Sequence, residues 1–423
     1  MSQYYQGIRC IKCGHPIEEK EAFDGCPVCR GTETSVNGET WYEFGQDKEA
    51  LRKGFGKASG PGLWAHREFL PVREETKPVT LGEGKTPLLP LLRLGERIGI
   101  PNLYVKVEGM NPTWSYKDRL CSVGVTKALE AGAPAITVSS TGNHGAATAA
   151  YAAAAGLPCV VFTLESVPET MKTLMQSYGA YVFALKEPSD RWKIMKRCVK
   201  EFGWYPMSGY VLPAMGSNCF GIDGYKTLTY EVFEDLGELP DQMIVPGVYG
   251  DGLYGIWKGV EDIHTLGLSE KQTKINASEV EGALAVTLQR GAEFPVKLPP
   301  RKNSVAFSIS GGVSTYQSYA AVTRSGGYAE GTGEEEAMDM QALLGRTEGI
   351  YAEAASVTSL VTAAKFRAQG RIREDETVVA VLTSSGLKDP GSTAVRLPKA
   401  PLIEPDTKVL SEALKREYGI TLF

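Results

Sequence analysis

A lysine at the start of a predicted helix is the first residue in this sequence whose position suggests chemistry. Residues 108–119 read EGMNPTWSYKDR: a strand ends in turn residues, and a helix is expected from about Ser115, with Lys117 in its first turn. The positive end of the helix dipole disfavours an ammonium group there. The position therefore indicates an amine that is neutralised or used covalently. Taken alone, the segment also fits a solvated lysine paired with Asp118.

A second helix start offers backbone amides to an anion. The segment SSTGNHG, residues 139–145, follows a predicted strand and opens an alanine-rich helix expected from about Gly145. The first N–H groups of a helix have no partner within it, so they can bind a carboxylate or a phosphate. The side chain of Asn143 can add a hydrogen bond to a neighbouring oxygen. An elaborate helix cap is the structural alternative.

A glycine-rich loop follows an apolar run that ends at Val245. Its sequence, VPGVYGDGLYG, contains the spacing GxGxxG at residues 250–255. That spacing fits a phosphate loop and also a dinucleotide-binding turn, for which Glu279 would be the ribose-binding acid. Asp251 is compatible with an anion site only if its carboxylate points away from the bound anion.

A fourth segment places hydroxyl groups after a predicted strand at residues 377–382. Thr383 and Ser384 begin the sequence TSSGLKDP. These hydroxyl groups could face a ligand held by the other loops. An ordinary strand-to-helix turn would have the same composition.

Four cysteines have the spacing of a metal site: Cys10, Cys13, Cys26 and Cys29 form two CxxC pairs that are twelve residues apart. Such pairs suit a tetrahedral zinc ion with four thiolate ligands. Because the protein then supplies all four ligands, no position is left for substrate, and we expect a structural metal. Two disulfides are the alternative, which a reducing compartment disfavours.

Composition limits the classes of function. A net charge of −5 gives no basic field for nucleic acid, so no nucleic-acid partner is expected. Residues 131–164 lack charged side chains but are interrupted by polar and helix-breaking residues, which indicates strand, helix and strand rather than a membrane span. The first residues lack the apolar run of a secretory signal, so we expect a cytoplasmic protein.

Apolar strand-like runs alternate with helix-like stretches from Pro78 onward, which predicts an α/β fold with parallel sheets and helices on both faces. We expect a zinc ribbon over residues 1–35, a connecting arm over 36–77 and a catalytic region over 78–420.

The ordered segments resemble the motifs of fold-type II pyridoxal-phosphate enzymes, and most closely those of the threonine synthase group. Residues 82–88 (GEGKTPL), 111–119 (NPTWSYKDR) and 382–389 (LTSSGLKD) are similar to three motifs of that group. A zinc ribbon likewise occurs on some of its members. The similarity spans about residues 78–390. It implies two parallel-sheet domains as in the tryptophan synthase β fold, with the smaller one at about 118–230 inserted in the larger.

The resemblance also implies roles for individual residues and a homodimer with a small amino-acid substrate. Lys117 would carry pyridoxal 5'-phosphate, and Asn143 would contact its 3'-oxygen. The substrate carboxylate would be held by Ser140, Thr141, Asn143 and His144. The cofactor phosphate would lie among Val248, Tyr249, Gly250, Asp251, Gly252 and Leu253. Thr383 or Ser384 would face the pyridine nitrogen.

Three departures from the group concern the substrate. Trp114 stands where glycine is usual, and Tyr116 replaces phenylalanine, so we expect a narrower space beside Lys117. Gly221 takes the place of an arginine that is a candidate to bind a substrate phosphate. Losing that guanidinium removes bidentate recognition. We therefore expect a substrate other than O-phosphohomoserine, unless another cation compensates: Lys85, Arg119, Lys226 or Lys388.

The favoured function is elimination or replacement at Cβ or Cγ of an amino acid by a threonine synthase-like lyase, either the conversion of O-phosphohomoserine to threonine or the reaction of a paralogue with a different substrate. A threonine or serine dehydratase, which ends in a keto acid and ammonia, is the nearest alternative. A nicotinamide-dependent oxidoreductase would rest on the GxGxxG spacing alone. A non-catalytic zinc-ribbon interaction protein would have no use for Lys117.

Overall fold

The computed structural model of the chain describes residues 4–301 and 303–421. Its strands are β1 Tyr5–Cys10, β2 Pro16–Ile17, β3 Gly38–Tyr42, β4 Leu88–Pro90, β5 Leu103–Val107, β6 Ile136–Ser139, β7 Cys159–Leu164, β8 Tyr181–Leu185, β9 Tyr205–Pro206, β10 Gln242–Pro246, β11 Lys274–Glu279, β12 Ala329–Gly331 and β13 Val378–Leu382. Its α-helices are α1 Lys48–Gly54, α2 Leu92–Ile98, α3 Lys117–Glu130, α4 Asn143–Ala155, α5 Glu169–Ser177, α6 Pro188–Phe202, α7 Cys219–Ile222, α8 Lys226–Leu236, α9 Asp251–Leu266, α10 Ala283–Gln289, α11 Tyr316–Arg324, α12 Glu334–Glu348, α13 Ala354–Ala368, α14 Pro390–Ala394 and α15 Thr407–Tyr418.

The larger sheet has the strand order β12-β11-β10-β13-β5-β4. Its pairs are parallel except for the edge pair β4–β5. Strands β10 and β13 are buried along their whole length, as expected for parallel strands covered on both faces. On one face, α2, α12 and α13 contribute Leu94, Leu344 and Leu360 to an apolar cluster with Val105 of β5.

The smaller sheet has the order β8-β7-β6-β9, with parallel pairs throughout. The uncharged stretch at residues 131–164 forms β6, α4 and β7, which confirms the prediction of strand, helix and strand. Both sheets together confirm the predicted α/β fold. The boundaries of the smaller domain, about 118 and 230, stay a prediction. Among the described residues, no helix has the length and apolarity needed to cross a membrane.

The strand order brings the sequence-predicted loops together. The lysine segment follows β5, the glycine-rich loop follows β10, and the hydroxyl segment follows β13. These three strands are parallel neighbours, so their carboxyl ends lie at one edge of the larger sheet. The loop with Asn143 follows β6, one of the two inner strands of the smaller sheet.

The N-terminal module is a small antiparallel sheet in which β1 pairs with both β2 and β3. Strand β3 lies beyond residue 35, in the segment expected to be a connecting arm. It contacts helix α9: the Tyr254 hydroxyl donates to Glu39 Oε2 at 2.7 Å, and Lys258 Nζ donates to the Thr40 carbonyl at 2.8 Å. The module therefore packs on the helix that follows the glycine-rich loop.

Residues 389–421 form a separate unit that contains α14 and α15. The side chain of Asp406 caps α15 by accepting hydrogen bonds from the backbone N–H groups of Lys408 and Val409. Gly419 ends that helix in a left-handed conformation, with a φ of 66°.

Candidate active site

Lys117 is the first residue of α3, two residues after the expected start. The turn before it is fixed to the end of β13, because the Tyr116 N–H donates to the Thr383 carbonyl at 2.9 Å. Asp118 does not pair with Lys117: its buried carboxylate accepts from the Thr113 N–H at 2.7 Å and from the Thr113 hydroxyl. The solvated lysine–aspartate pair is therefore wrong, and Asp118 instead holds the turn that presents Lys117.

Two tyrosine rings surround the Lys117 amine. Its Nζ lies 4.8 Å from the ring centroid of Tyr116 and 5.6 Å from that of Tyr225. Burial lowers the pKa of the free amine, but Tyr116 and Asp251 raise that pKa by more, so it lies above its ordinary value. The free amine is thus a cation, which becomes a useful base only after covalent chemistry or a bound ligand changes its surroundings.

The side chain of Ser140 stabilises the loop before α4 through hydrogen bonds to the backbone. Ser140 Oγ accepts hydrogen bonds from Gly142 N at 3.2 Å and Gly145 N at 2.9 Å, and α4 begins at Asn143, slightly earlier than expected. His144 is buried, and its Nε2 has no hydrogen-bond partner among the described residues. Burial and the nearby Lys117 hold the pKa of His144 well below its usual range, so its imidazole is neutral.

Asn143 is held from two directions. Its Nδ2 donates to Glu353 Oε2 at 2.8 Å, and its Oδ1 accepts from Ser384 Oγ at 3.4 Å. Glu353 is buried beside the start of α13. Sequence reasoning missed Glu353, because 210 residues separate it from Asn143.

The glycine-rich loop turns from β10 into α9 with the carboxylate of Asp251 directed away from the loop. That carboxylate accepts from Ser217 N at 2.9 Å, Ser217 Oγ at 2.7 Å and Gln317 Nε2 at 2.6 Å. Gly250 has a φ of 72°, and a Cβ atom there would lie 2.0 Å from Ser318 Oγ. The loop therefore requires glycine, and the N-terminal amides of α9 are left to bind an anion.

The Asp251 contacts confirm the condition that the sequence set for an anion site. The dinucleotide-binding alternative, in contrast, is not supported. Glu279, its candidate ribose-binding acid, accepts from the N–H groups of Leu284 and Ala285 at the start of α10. Glu279 therefore caps the next helix and does not line the cavity described below.

A cavity of about 630 Å³ joins these loops. The sequence-predicted residues that line it are Lys117, Ser140, Thr141, Asn143, His144, Val248, Tyr249, Gly250, Asp251, Gly252, Leu253 and Thr383. Ser384 does not line the cavity; its hydroxyl oxygen lies 3.1 Å from the Trp114 carbonyl oxygen and 3.4 Å from Asn143 Oδ1. The sequence analysis offered either Thr383 or Ser384 as the hydroxyl residue that faces the ligand, and of these two Thr383 lines the cavity.

Comparison with known proteins identifies the family of this chain. The family described as "Pyridoxal-phosphate dependent enzyme" matches residues 79–384. A threonine synthase of Methanocaldococcus jannaschii is 34% identical over 414 residues, which are 96% of this chain and 99% of that protein. The chain belongs to the pyridoxal-phosphate-dependent enzymes. A second relative, the threonine synthase of Halalkalibacterium halodurans, is 36% identical over 81% of this chain and 94% of its own length.

Solved structures show the same fold at low sequence identity. Maize serine racemase has a TM-score of 0.62 and 19% identity, and covers 74% of this chain and 91% of its own. A threonine deaminase isoform from Solanum lycopersicum has a TM-score of 0.62 and 16% identity over 74% of this chain and 82% of its own. These neighbours confirm the predicted fold-type II architecture.

The cavity of this threonine synthase-like pyridoxal-phosphate enzyme fits its cofactor. It offers an amine at Lys117, a neutral imidazole without a partner at His144, and a glycine-lined helix start at Gly250. The family match confirms the expected reaction class, elimination or replacement at Cβ or Cγ of an amino acid by a lyase.

The structure corrects two expectations about the substrate pocket. Trp114 has a φ of 61°, is 43% exposed and does not line the cavity. Gly221 does not line it either: it packs in α7 against α3, where a Cβ atom would lie 2.8 Å from the Leu120 carbonyl oxygen. Neither residue reshapes the space beside Lys117, although Tyr116 does line it.

The cations that the sequence offered as replacements also lie outside the cavity: Lys85, Arg119, Lys226 and Lys388. Arg119 is buried in ion pairs with Glu108 at 2.8 Å and Glu231 at 2.7 Å. Lys226 pairs with Asp262 at 3.0 Å. Besides Lys117, the cations that do line the cavity are Arg191 and Arg301, and sequence reasoning missed both.

The four N-terminal cysteines converge as their spacing indicates. Their Sγ atoms all lie within 4.8 Å of one another, with Cys10–Cys29 at 3.8 Å and Cys13–Cys26 at 3.7 Å. A tetrahedral zinc ion with Zn–S bonds of about 2.3 Å sets ligand sulfurs about 3.8 Å apart. All four are free thiols, so the structure does not contain the alternative disulfides.

Proposed function

We propose that this enzyme is a threonine synthase, which converts O-phosphohomoserine and water into threonine and phosphate. The observation that carries the proposal is the similarity to threonine synthases of 34% identity over almost the whole chain. Trp114 does not line the cavity, so it does not narrow the space for this substrate.

Lys117 is the proposed attachment point of the cofactor and the proton carrier. When bound, pyridoxal phosphate supplies an electron sink for negative charge at the substrate Cα. Lys117, freed when substrate binds, takes the Cα proton and can return a proton to the substrate later. A proton leaves Cβ as the phosphate leaves Cγ, Cγ then takes up a proton to become the methyl group, and the hydroxyl of water adds at Cβ while a proton returns to Cα.

The start of α4 is the proposed carboxylate site. The substrate carboxylate would accept hydrogen bonds from backbone amides of the loop, from the Thr141 hydroxyl and from His144, whose neutral ring can donate one proton. Ser140 has a supporting role through its two backbone contacts, and its hydroxyl, which donates to the Gly142 carbonyl at 3.5 Å, would turn to the carboxylate when substrate binds. The second amide proton of Asn143 would reach the 3'-oxygen of the cofactor.

The start of α9 is the proposed site of the cofactor phosphate, cradled by residues 248–253. Thr383, which faces the cavity, would be the partner of the pyridine nitrogen. A hydroxyl partner leaves that nitrogen largely unprotonated, which keeps carbanion charge near Cα and favours loss of a leaving group.

A structural zinc ion is the proposed occupant of Cys10, Cys13, Cys26 and Cys29, supported by sulfur separations that suit tetrahedral coordination. Thiolate ligands and eight unpaired cysteines favour a reducing compartment, and we propose a cytoplasmic enzyme.

A homodimer is the proposed assembly. The exposed apolar side chains of Met110, Trp114 and Leu387 support it, because Trp114 is joined to the segment before Leu387 by the hydrogen bond from Ser385 N to the Trp114 carbonyl, at 3.1 Å. Light scattering on the purified protein tests the assembly, and a monomeric mass would contradict it.

The assay for the function supplies the holoenzyme with O-phosphohomoserine and measures threonine and phosphate together. We expect equal amounts of the two products. A dehydratase would instead release keto acid and ammonia from threonine or serine. An enzyme that forms no threonine from O-phosphohomoserine would contradict the proposal.

A further inference from the structure

Arg191 is a buried guanidinium at the cavity wall that lacks an acidic partner. It lies in the first turn of α6 and is 9% exposed. Its Nε donates to the Pro188 carbonyl at 3.3 Å, and none of the described carboxylates forms an ion pair with it. Arg191 lines the cavity, and a buried cation without an anion is unfavourable, so its guanidinium favours an anionic ligand there.

The other basic residues that line the cavity already have a partner, have a different proposed role or are neutral. Arg301 is exposed, donates to the Thr332 carbonyl at 3.0 Å and lies 3.6 Å from Glu334. Lys117 is assigned to the cofactor, and His144 is neutral. Among the described residues, Arg191 is therefore the cavity-lining cation that is free to bind an anion supplied by a substrate.

The position of α6 favours the substrate over the cofactor as the source of that anion. Helix α6 packs on the strands of the smaller sheet, whereas the glycine-rich loop belongs to the larger one. The cofactor phosphate already has the start of α9. A substrate whose carboxylate lies at the start of α4 still needs a partner for its other end.

We propose that Arg191 determines specificity by binding the distal anionic group of the amino-acid substrate, a phosphate on the side chain. This inference rests on the proposed function and names the residue that would bind the phosphate of its substrate. Neutral amino acids of the same length would lack the contact and bind weakly.

The test compares two amino acids that differ in the anion alone: 2-amino-5-phosphonopentanoate and norvaline. Each is titrated into the holoenzyme, and the change in visible absorption of the cofactor gives the Kd. The proteins are the wild type, Arg191→Gln, Arg191→Lys and the matched control Arg301→Gln, which removes a paired cation from the same cavity. Cofactor content is measured for each.

We expect the wild type and Arg301→Gln to bind the phosphonate much more tightly than norvaline. In Arg191→Gln, the preference should fall on the order of a hundredfold, the value of two charge-assisted hydrogen bonds, with the Kd of norvaline unchanged. Arg191→Lys should recover part of the preference for the phosphonate, because lysine keeps the positive charge but lacks the paired N–H donors of the guanidinium.

A wild type without a preference for the phosphonate, or an Arg191→Gln variant that keeps it, overturns the inference. So does loss of cofactor from both Arg191 variants, which would assign Arg191 to the cofactor phosphate. The proposed function is judged separately, by whether the wild type forms threonine from O-phosphohomoserine.

Discussion

The amide of Asn143 donates from Nδ2 to Glu353 Oε2 at 2.8 Å, across 210 residues of sequence. The other carboxylate oxygen of Glu353 is buried without a hydrogen-bond partner among the described residues. Because a carboxylate only accepts, this contact fixes which end of the Asn143 amide is nitrogen. It leaves one amide proton of Asn143 for a ligand in the cavity.

Glu353→Gln should weaken the control of the Asn143 orientation, since a carboxamide can present either a donor or an acceptor. The loss of a charge-assisted hydrogen bond should lower kcat/KM roughly tenfold to hundredfold. It should also shift the visible absorption of the bound cofactor, which a purely structural role would not do. Glu353→Asp keeps the charge and should have a smaller effect. An unchanged spectrum and rate would show that Asn143 is oriented by other means.

Lys117 should carry the cofactor. Borohydride reduction followed by peptide mapping should place the pyridoxyl mass on Lys117. Lys117→Ala should lose two to four orders of magnitude in kcat, because it removes the proton carrier. Lys127→Ala, in the same helix, is the control and should keep the label and the rate. A label on a different lysine would falsify the assignment.

Gly250→Ala should disrupt the cofactor site. A side chain in the left-handed region costs about 1–2 kcal/mol, and the new Cβ would also meet Ser318 Oγ at 2.0 Å. Gly267→Ala is the matched control, because Gly267 ends the same helix with a φ of 67° and no atom within 4 Å of a Cβ. Urea titration should show a larger loss of unfolding free energy for Gly250→Ala. Its cofactor affinity should fall as well, while that of Gly267→Ala should not.

Cys13→Ser should remove the metal. Elemental analysis should give one zinc per wild-type chain and far less in the variant, and the variant should unfold at lower temperature because metal binding stabilises the fold. The kcat of the folded variant should stay near wild type, since four protein ligands leave no position for substrate. Cys198→Ser is the control outside the quartet. Zinc-free wild-type protein, purified without chelator, would contradict the assignment.

Glu279 should make stability depend on pH. Burial raises the pKa of Glu279 to about 7 in the folded protein, against an ordinary value of 4.5. The folded state therefore binds the Glu279 proton more tightly than the unfolded state does. The stabilisation that this proton gives to the fold is complete below pH 4.5 and is lost as the pH rises through 7. The loss amounts to about 3 kcal/mol at most. Glu279→Gln should remove this loss in urea titrations at pH 5 and 8, whereas the exposed Glu374→Gln should not.

Local sequence motifs were enough to predict the loops of the site. They were not enough to predict the side chains that reach the site from distant parts of the sequence. The four loops follow buried strands, and the strand order of a parallel sheet then gathers them at one edge. Arg191 gives no such signal, because it is one of several cations in an amphipathic helix until the packing of α6 places it at the cavity. The expectation for Trp114 was wrong because its side chain was predicted to narrow the space beside Lys117, whereas it is 43% exposed and does not line the cavity.

The contacts of the N-terminal module have a consequence for how the chain folds during synthesis. Asn37, just before β3, donates from Nδ2 to Gln317 Oε1 at 3.2 Å, a partner that lies 280 residues later. At 5–20 residues per second, a ribosome needs roughly 14–56 s to add those residues. The module must therefore remain without its final partner for most of translation. A docking edge made of Asn37, Glu39 and Thr40 suits that delay, because polar groups can be hydrated by water until α9 and α11 exist.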